Sequence, residues 1–228
     1  MRRALLFDYD GLIVDSESVI GRVLIDVFAE RGVTITFDDF GHLLGTTGPD
    51  NDARWDEFTR SMLGPQADLA ELEASMTPAV RAAIGELTVL PGVHELIDAA
   101  RNAGWALGLG TGNTGPLDDY LTRLELGDAF EAIVRTHGSG LAAKPAPDVF
   151  LTLAERLDVA AADCVVLEDS VPGAEAAIAA GMAVVVCPCD ATRGCTFPDG
   201  VAQVASLEEL SLDDLERMIT RASVPPRR

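Results

Sequence analysis

A chain of 228 residues, 48% of them hydrophobic, is long enough to bury one substantial α/β core with residues left over for a smaller unit. Its formal net charge of −20, from 37 acids against 17 bases, excludes broad contact with nucleic acid or anionic membrane, since both rest on Lys and Arg. An anionic substrate therefore needs a local cation, either a side chain or a bound metal.

The first apolar run, Ala4–Phe7, reads as a buried strand that stops at Asp8, too soon for the core of an export signal. From Ser16 to about Thr88 no strand run follows. Ile20, Val23, Leu24, Val27 and Phe28 fall on one helix face, with Ser16 as its expected N-cap. Further helical windows span 38–44, 50–63 and 67–84, punctuated by Gly45, Gly48, Gly64 and Pro65. Beyond Leu90-Pro91-Gly92 the pattern alternates. Helical stretches over 93–103, 116–124, 147–157 and 172–180 separate strand runs at 105–109, 132–134, 164–167 and 183–187. Strand and helix in this rhythm imply a parallel sheet covered on both faces, because parallel strands need crossover helices. The expectation is a Rossmann-like α/β core made of residues 1–15 and 89–228, with a helical unit over 16–88 inserted after the first strand. The two crossings near Asp15 and Thr88 would suit a hinged lid. The tail Pro225–Arg228 is expected to fray.

The longest nearly apolar stretch, 176–187, is too short for a membrane span and contains Gly181. A cytoplasmic protein with reduced cysteines is expected. Cys187, Cys189 and Cys195 cluster, but the Cys-Pro-Cys spacing lacks the gap of a zinc knuckle and no fourth Cys or His lies nearby, so ordinary packing cysteines are the expectation. The sequence does not set the oligomeric state, and a monomer is compatible with it.

Ligands of open parallel sheets bind beyond the carboxyl ends of the strands. There this sequence places Asp8-Tyr9-Asp10-Gly11, then Gly110-Thr111-Gly112-Asn113, then Glu168-Asp169-Ser170. Carboxylates buried together repel one another unless a divalent cation holds them, and hard oxygen ligands suit Mg²⁺. Lys144 is the chain's single lysine, in Ala143-Lys144-Pro145 just before a helix. A compact ammonium there can bridge an aspartate and a phosphate as a point charge. Each segment alone has a plainer reading: a turn, a helix cap, a strand-to-helix loop, a solvated lysine. Their order and their shared placement at strand ends carry the inference.

In this order the four segments resemble the motifs of the haloacid dehalogenase superfamily of aspartate-nucleophile phosphotransferases. Phe7-Asp8-Tyr9-Asp10-Gly11 through Asp15-Ser16-Glu17 is similar to the first motif, Thr111 to the second, Lys144-Pro145 to the third, and Glu168-Asp169-Ser170 with Gly173 to the fourth. The insertion is similar to the family's helical cap, and the branch it most resembles is the β-phosphoglucomutase-like phosphatases. The resemblance implies that Asp8 attacks phosphorus and that Asp10 serves as acid and then base. It implies that Thr111 and Lys144 hold phosphoryl oxygens with Asn113 beside them, and that Mg²⁺ rests on Asp8, the Asp10 carbonyl and Asp169 with Glu168 nearby. The implied substrate is a small phosphorylated metabolite, by cap type a sugar phosphate. Arg54, Arg60 and the Gly45–Gly48 turn are candidates to face it.

Four other readings compete with this one. A dehalogenase needs neither a second acid nor a metal, and a phosphonate hydrolase has a small residue in place of Asp10 and an extra cap lysine. A sugar phosphomutase of this branch carries histidine where Ile20 stands and a lysine in the cap, and both are missing here. A non-catalytic phosphate sensor is the alternative from another class, and intact Asp8 and Asp10 count against it.

Overall fold

The computed structural model describes residues 2–222, so the Pro225–Arg228 tail lies outside the described residues. Strand β1 (Ala4–Phe7) is buried along its whole length. Leu5 and Phe7 join one hydrophobic cluster and Ala4 and Leu6 a second, as expected of a parallel strand packed on both faces. Truncating Phe7 to alanine would cost about 3–5 kcal/mol, the usual range for an aromatic core side chain.

Helices α1 (Ser16–Glu30), α2 (Phe37–Phe40), α3 (Pro49–Leu63) and α4 (Leu69–Gly85) follow, with a single 3-10 turn at Gly41–Leu43. They form a third cluster, joined by Cys189 and Ala191 from the loop after the fifth strand, in which Phe28, Phe40, Trp55 and Phe58 meet ring against ring. The alternating region then gives α5 (Val93–Asn102), β2 (Ala106–Thr111), α6 (Leu117–Arg123), β3 (Ala132–Arg135) and α7 (Asp148–Leu157). After these come β4 (Cys164–Glu168), α8 (Val171–Ala179), β5 (Ala183–Val186), β6 (Ala202–Gln203) and α9 (Leu212–Ala222).

Among the described residues the strands make one parallel sheet in the order β3-β2-β1-β4-β5-β6. The strand order reverses at β1, which lies between β2 and β4, and this is where a doubly wound sheet leaves its crevice. Phe7 is level with Leu109 on β2 and Leu167 on β4, so the residues just beyond that row, Asp8, Gly110 and Glu168, reach the same edge together. The parallel sheet with its crossover helices is the α/β fold the alternation predicted.

Three local expectations shift. Strand β2 runs on to Thr111 because Gly110 continues the strand where the apolar run ends. A Cβ on Gly110 would lie 3.0 Å from both Leu153 and Val149, so the missing side chain lets α7 pack close. The N-cap of α1 is Asp15, which accepts from Ser18 N at 3.3 Å, and Ser16 is the first helical residue. Its hydroxyl is used elsewhere, as described below. Strand β6, two residues long and partly polar, carries no apolar run by which to be recognised.

Candidate active site

Asp8 leaves β1 with its backbone N–H still donating to Leu167 O at 3.0 Å, so the strand ladder fixes where its side chain starts. The Lys144 ammonium, 6% exposed, donates to Asp8 Oδ1 and, at 2.5 Å, to Glu168 Oε1. It also lies 5.2 Å over the Phe150 ring. Burial pulls the ammonium's pKa down, but Asp8 and Glu168 outweigh it and hold the group above the usual lysine range. Burial raises the Asp8 carboxyl well above its ordinary value, with Glu168 and Asp10 adding to the rise and Lys144 opposing it.

Glu168 is fully buried, and both of its oxygens are engaged. Oε2 accepts from Asp169 N at 3.0 Å, Ser170 N at 3.1 Å and Ser170 Oγ at 2.9 Å, while Oε1 takes the lysine. Gly173 makes this possible, since a Cβ there would lie 1.8 Å from Glu168 Oε1. Ser170 caps α8 through Gly173 N, so helix start and carboxylate cradle are one structure.

Asp10 is partly buried and receives three side-chain donors. Ser16 Oγ stands at 2.7 Å, Asn113 Nδ2 at 3.1 and 3.0 Å from the two oxygens, and Thr111 Oγ1 at 3.5 Å. Burial raises the Asp10 carboxyl despite the opposing hydrogen bonds from Ser16 and Asn113. Thr111 in turn accepts from Asn113 N at 2.9 Å. Ser16 is a site contact that sequence reasoning missed, because a serine just after a turn reads as a cap.

Asp8, Glu168 and Asp169 offer carboxylate oxygens within 4.8 Å of one another. Asp169 Oδ2 accepts from Thr192 at 3.4 Å, whereas its Oδ1 is buried and has no partner. Burial, then Cys189, Glu168 and Asp8, raise the Asp169 carboxyl well above its ordinary value. An orphaned buried carboxylate oxygen beside two further acids makes an all-oxygen donor set that fits a hard divalent cation.

The helical unit touches this rim directly. Thr46 Oγ1 donates to the Lys144 carbonyl, and Gly45 N donates to Glu17 Oε1 at 3.4 Å. Burial, with Asp10 adding, pushes the Glu17 carboxyl up to about 8. The loop after β5 joins in, where Ala191 N donates to buried Ser18 Oγ at 3.1 Å. Arg60 instead pairs with Asp56 and donates to the Pro65 carbonyl, and Arg54 donates to the His42 carbonyl, so neither guanidinium is spent on the rim. The four cysteines are free, and burial raises each thiol, Cys187 to about 11. Among the described residues they join no group with metal-ligand spacing, and no described helix is long and apolar enough to cross a membrane.

An acid-lined crevice at the switch point of a parallel sheet, with one buried ammonium bridging two of its carboxylates, fits an enzyme that handles phosphoryl groups. The family model for haloacid dehalogenase-like hydrolases matches residues 2–181, and the chain belongs to that family. It falls in the family's phosphatase branch. It is 36% identical over 206 residues to protein CbbY of Rhodobacter capsulatus, covering 86% of this chain and 89% of the relative. Its identity to hexitol phosphatase B of Escherichia coli (strain K12) is 32% over 215 residues, covering 93% and 96%. The crystal structure of CbbY from Rhodobacter sphaeroides in complex with phosphate superposes with a TM-score of 0.73 at 29% identity, covering 95% of this chain and all of that one.

Proposed function

We propose that the chain is a Mg²⁺-dependent phosphatase that hydrolyses a small phosphorylated metabolite through an aspartyl-phosphate on Asp8. The observation that carries this is the single lysine buried between Asp8 and Glu168 at the ends of adjacent strands. In this reading a carboxylate oxygen of Asp8 attacks phosphorus and the bond to the leaving alcohol breaks. Asp10, whose raised pKa favours its protonated form, gives its proton to the departing oxygen. Ser16 and Asn113 aim that carboxyl. Asp10 then takes a proton from water, whose oxygen attacks the same phosphorus and releases Asp8 and inorganic phosphate.

Lys144 and Thr111 hold phosphoryl oxygens, with Asn113 beside them. Asp8, the Asp10 carbonyl and Asp169 would hold Mg²⁺, which supplies positive charge against the phosphoryl oxygens. Glu168 stands in the same acidic group, but with both oxygens engaged its part is to fix Lys144. Residues 16–88 form the cap over a core of 1–15 and 89–228, hinged near Asp15 and Thr88. Cap type and the relatives' names point first to phosphorylated sugars and polyols. Hydrolysis is favoured over a phosphomutase reaction by Ile20 and by a cap that contains no lysine.

The test is phosphate release from a panel of phosphorylated metabolites, with and without Mg²⁺, for the wild type and Asp8→Asn. Release should need both the metal and Asp8. Turnover that survived Asp8→Asn at near-normal rates would require another nucleophile.

A further inference from the structure

A cavity of about 740 Å³ lies among α1, α3, α4 and α6, within the size range of small-molecule sites. Its walls are mainly apolar: Ile20, Leu44, Trp55, Met76, Ile84 and Tyr120. Three of these walls belong to, or pack on, segments that also carry rim residues. Ile20 is one helical turn beyond Ser16, whose hydroxyl donates to Asp10. Leu44 precedes Gly45, which is bonded to Glu17. Tyr120 stacks on Tyr9, ring centroids 6.5 Å apart and planes 7° from parallel, and Tyr9 is the residue between Asp8 and Asp10. The charged side chains that line the cavity are Asp52, Asp56, Glu73 and Arg81; Asp56 is paired with Arg60, which leaves two carboxylates against one guanidinium. A second phosphate would meet repulsion there, and a polyol would strip water from its hydroxyls against hydrocarbon.

Resting on the phosphatase reading but departing from the sugars and polyols that cap type and the relatives' names suggest, we propose that this cavity takes the alcohol part of the substrate, and that the preferred ester is a monophosphate whose alcohol is mainly apolar. Transfer of each methylene from water into such a wall multiplies binding by about two- to fourfold. The phosphoryl group stays at the sheet edge while the cavity discriminates among alcohols.

The test uses esters of primary alcohols, so that leaving-group chemistry is matched: ethyl, butyl and hexyl phosphate against glucose 6-phosphate, sorbitol 6-phosphate and fructose 1,6-bisphosphate. We expect kcat/KM to climb about two- to fourfold per methylene. Hexyl phosphate should exceed the hydroxylated monophosphates at least tenfold, and the bisphosphate should rank last. Met76→Lys should erase most of the chain-length dependence while leaving competitive inhibition by inorganic phosphate unchanged. A flat series, or sugar and hexitol esters ahead of hexyl phosphate, would overturn the proposal whatever the variant does. Calorimetric binding of methyl-, butyl- and hexylphosphonate to Asp8→Asn separates the two readings. Affinity that rises with chain length without turnover in the wild type would overturn the hydrolytic reading alone. Turnover with no chain-length dependence in either measurement would overturn the cavity proposal alone.

Discussion

The rim of the sheet and the cavity in the helical unit are built on opposite plans. At the rim Asp8, Lys144, Glu168 and Asp169 are all buried and, Asp169 Oδ1 apart, tied by strand ladders, a helix start and charge-assisted hydrogen bonds. Around the cavity, apolar side chains mix with exposed charged ones, and of α4 only Leu72 is buried. Chemistry that needs sub-ångström placement sits on the rigid part, where the groups were positioned before any ligand arrives. Discrimination among alcohols needs only shape and apolar area, so it can rest on the softer part, where substitutions are cheap. On the proposed reading, two functions of one site are thus separated by how deeply the groups that carry them are buried.

The sharpest way to break this contrast is at the rim. Asp8→Asn should lower kcat by about 10⁴-fold or more, because one atom of the attacking group is lost, while hexylphosphonate binding in the cavity persists. Rapid-quench phosphate release checks it. Asp10→Asn should lower turnover by about 10²–10⁴-fold, the range of a lost acid–base group, yet still trap beryllofluoride on Asp8. Loss of trapping would mean that Asp10 shapes the pocket rather than moving protons. Lys144→Met should cost about 10²–10³-fold in rate through lost charge stabilisation. It should also destabilise the metal-free protein by about 3–5 kcal/mol, since it strands two buried carboxylates, and urea unfolding measures this.

The same contrast explains what could be read before the coordinates. The strand ends were legible because a buried parallel strand is a short apolar run, and the acid that stops it stands out, as Asp8 does after Phe7. That Asp8, Asp10, Thr111, Asn113, Glu168 and Asp169 share one edge followed from topology, since adjacent strands must deliver their ends together, whereas Lys144 follows β3 by nine residues and its place was implied by the family resemblance. Ser16 was misread because its hydroxyl fits an N-cap equally well, and only the turn geometry of Tyr9–Val14 turns it toward Asp10. Thr192 was invisible: it lies 23 residues from Asp169, in a loop with no periodicity. The cavity was hidden too, because Ile20 and Leu24 read as an ordinary helix stripe, and nothing in a period tells whether a stripe faces a neighbour or an opening.

A smaller effect concerns pH and links the two regions through Glu17. Its carboxyl titrates near 8 in the fold against an ordinary 4.5, and Asp8 and Asp169 are raised as well. Glu17 faces Asp10 and Glu168, with Lys144 opposing them and the Gly45 N–H as its hydrogen-bond donor. A group whose folded pKa lies above its unfolded value gives stability that is complete below the unfolded pKa and is lost as pH rises through the folded one. Metal-free protein should therefore lose melting temperature between about pH 4.5 and pH 8, the window these values set. Mg²⁺ should restore more of it at pH 8 than at pH 5. Glu17→Gln should flatten part of the slope. A melting temperature that climbed across this window would show that these acids are not held protonated by burial.

The smallest difference is between two contacts that tie the same helix to the same loop. Ser18 Oγ accepts from the buried N–H of Ala191, while Arg22 pairs with Asp190 at 2.9 Å in solvent. Ser18→Ala leaves a buried donor without a partner, which costs about 1–3 kcal/mol. It also loosens the loop that carries Thr192 against Asp169. Arg22→Ala removes a screened surface pair whose worth is about 0–1 kcal/mol, so its melting curve should overlay the wild type. The informative measurement is Mg²⁺ affinity by calorimetry in the absence of substrate. Ser18→Ala should weaken it several-fold and Arg22→Ala should leave it unchanged. Equal effects from the two would mean that the helix is held by its net attraction to the core, and that burial of the serine contact adds nothing to the site.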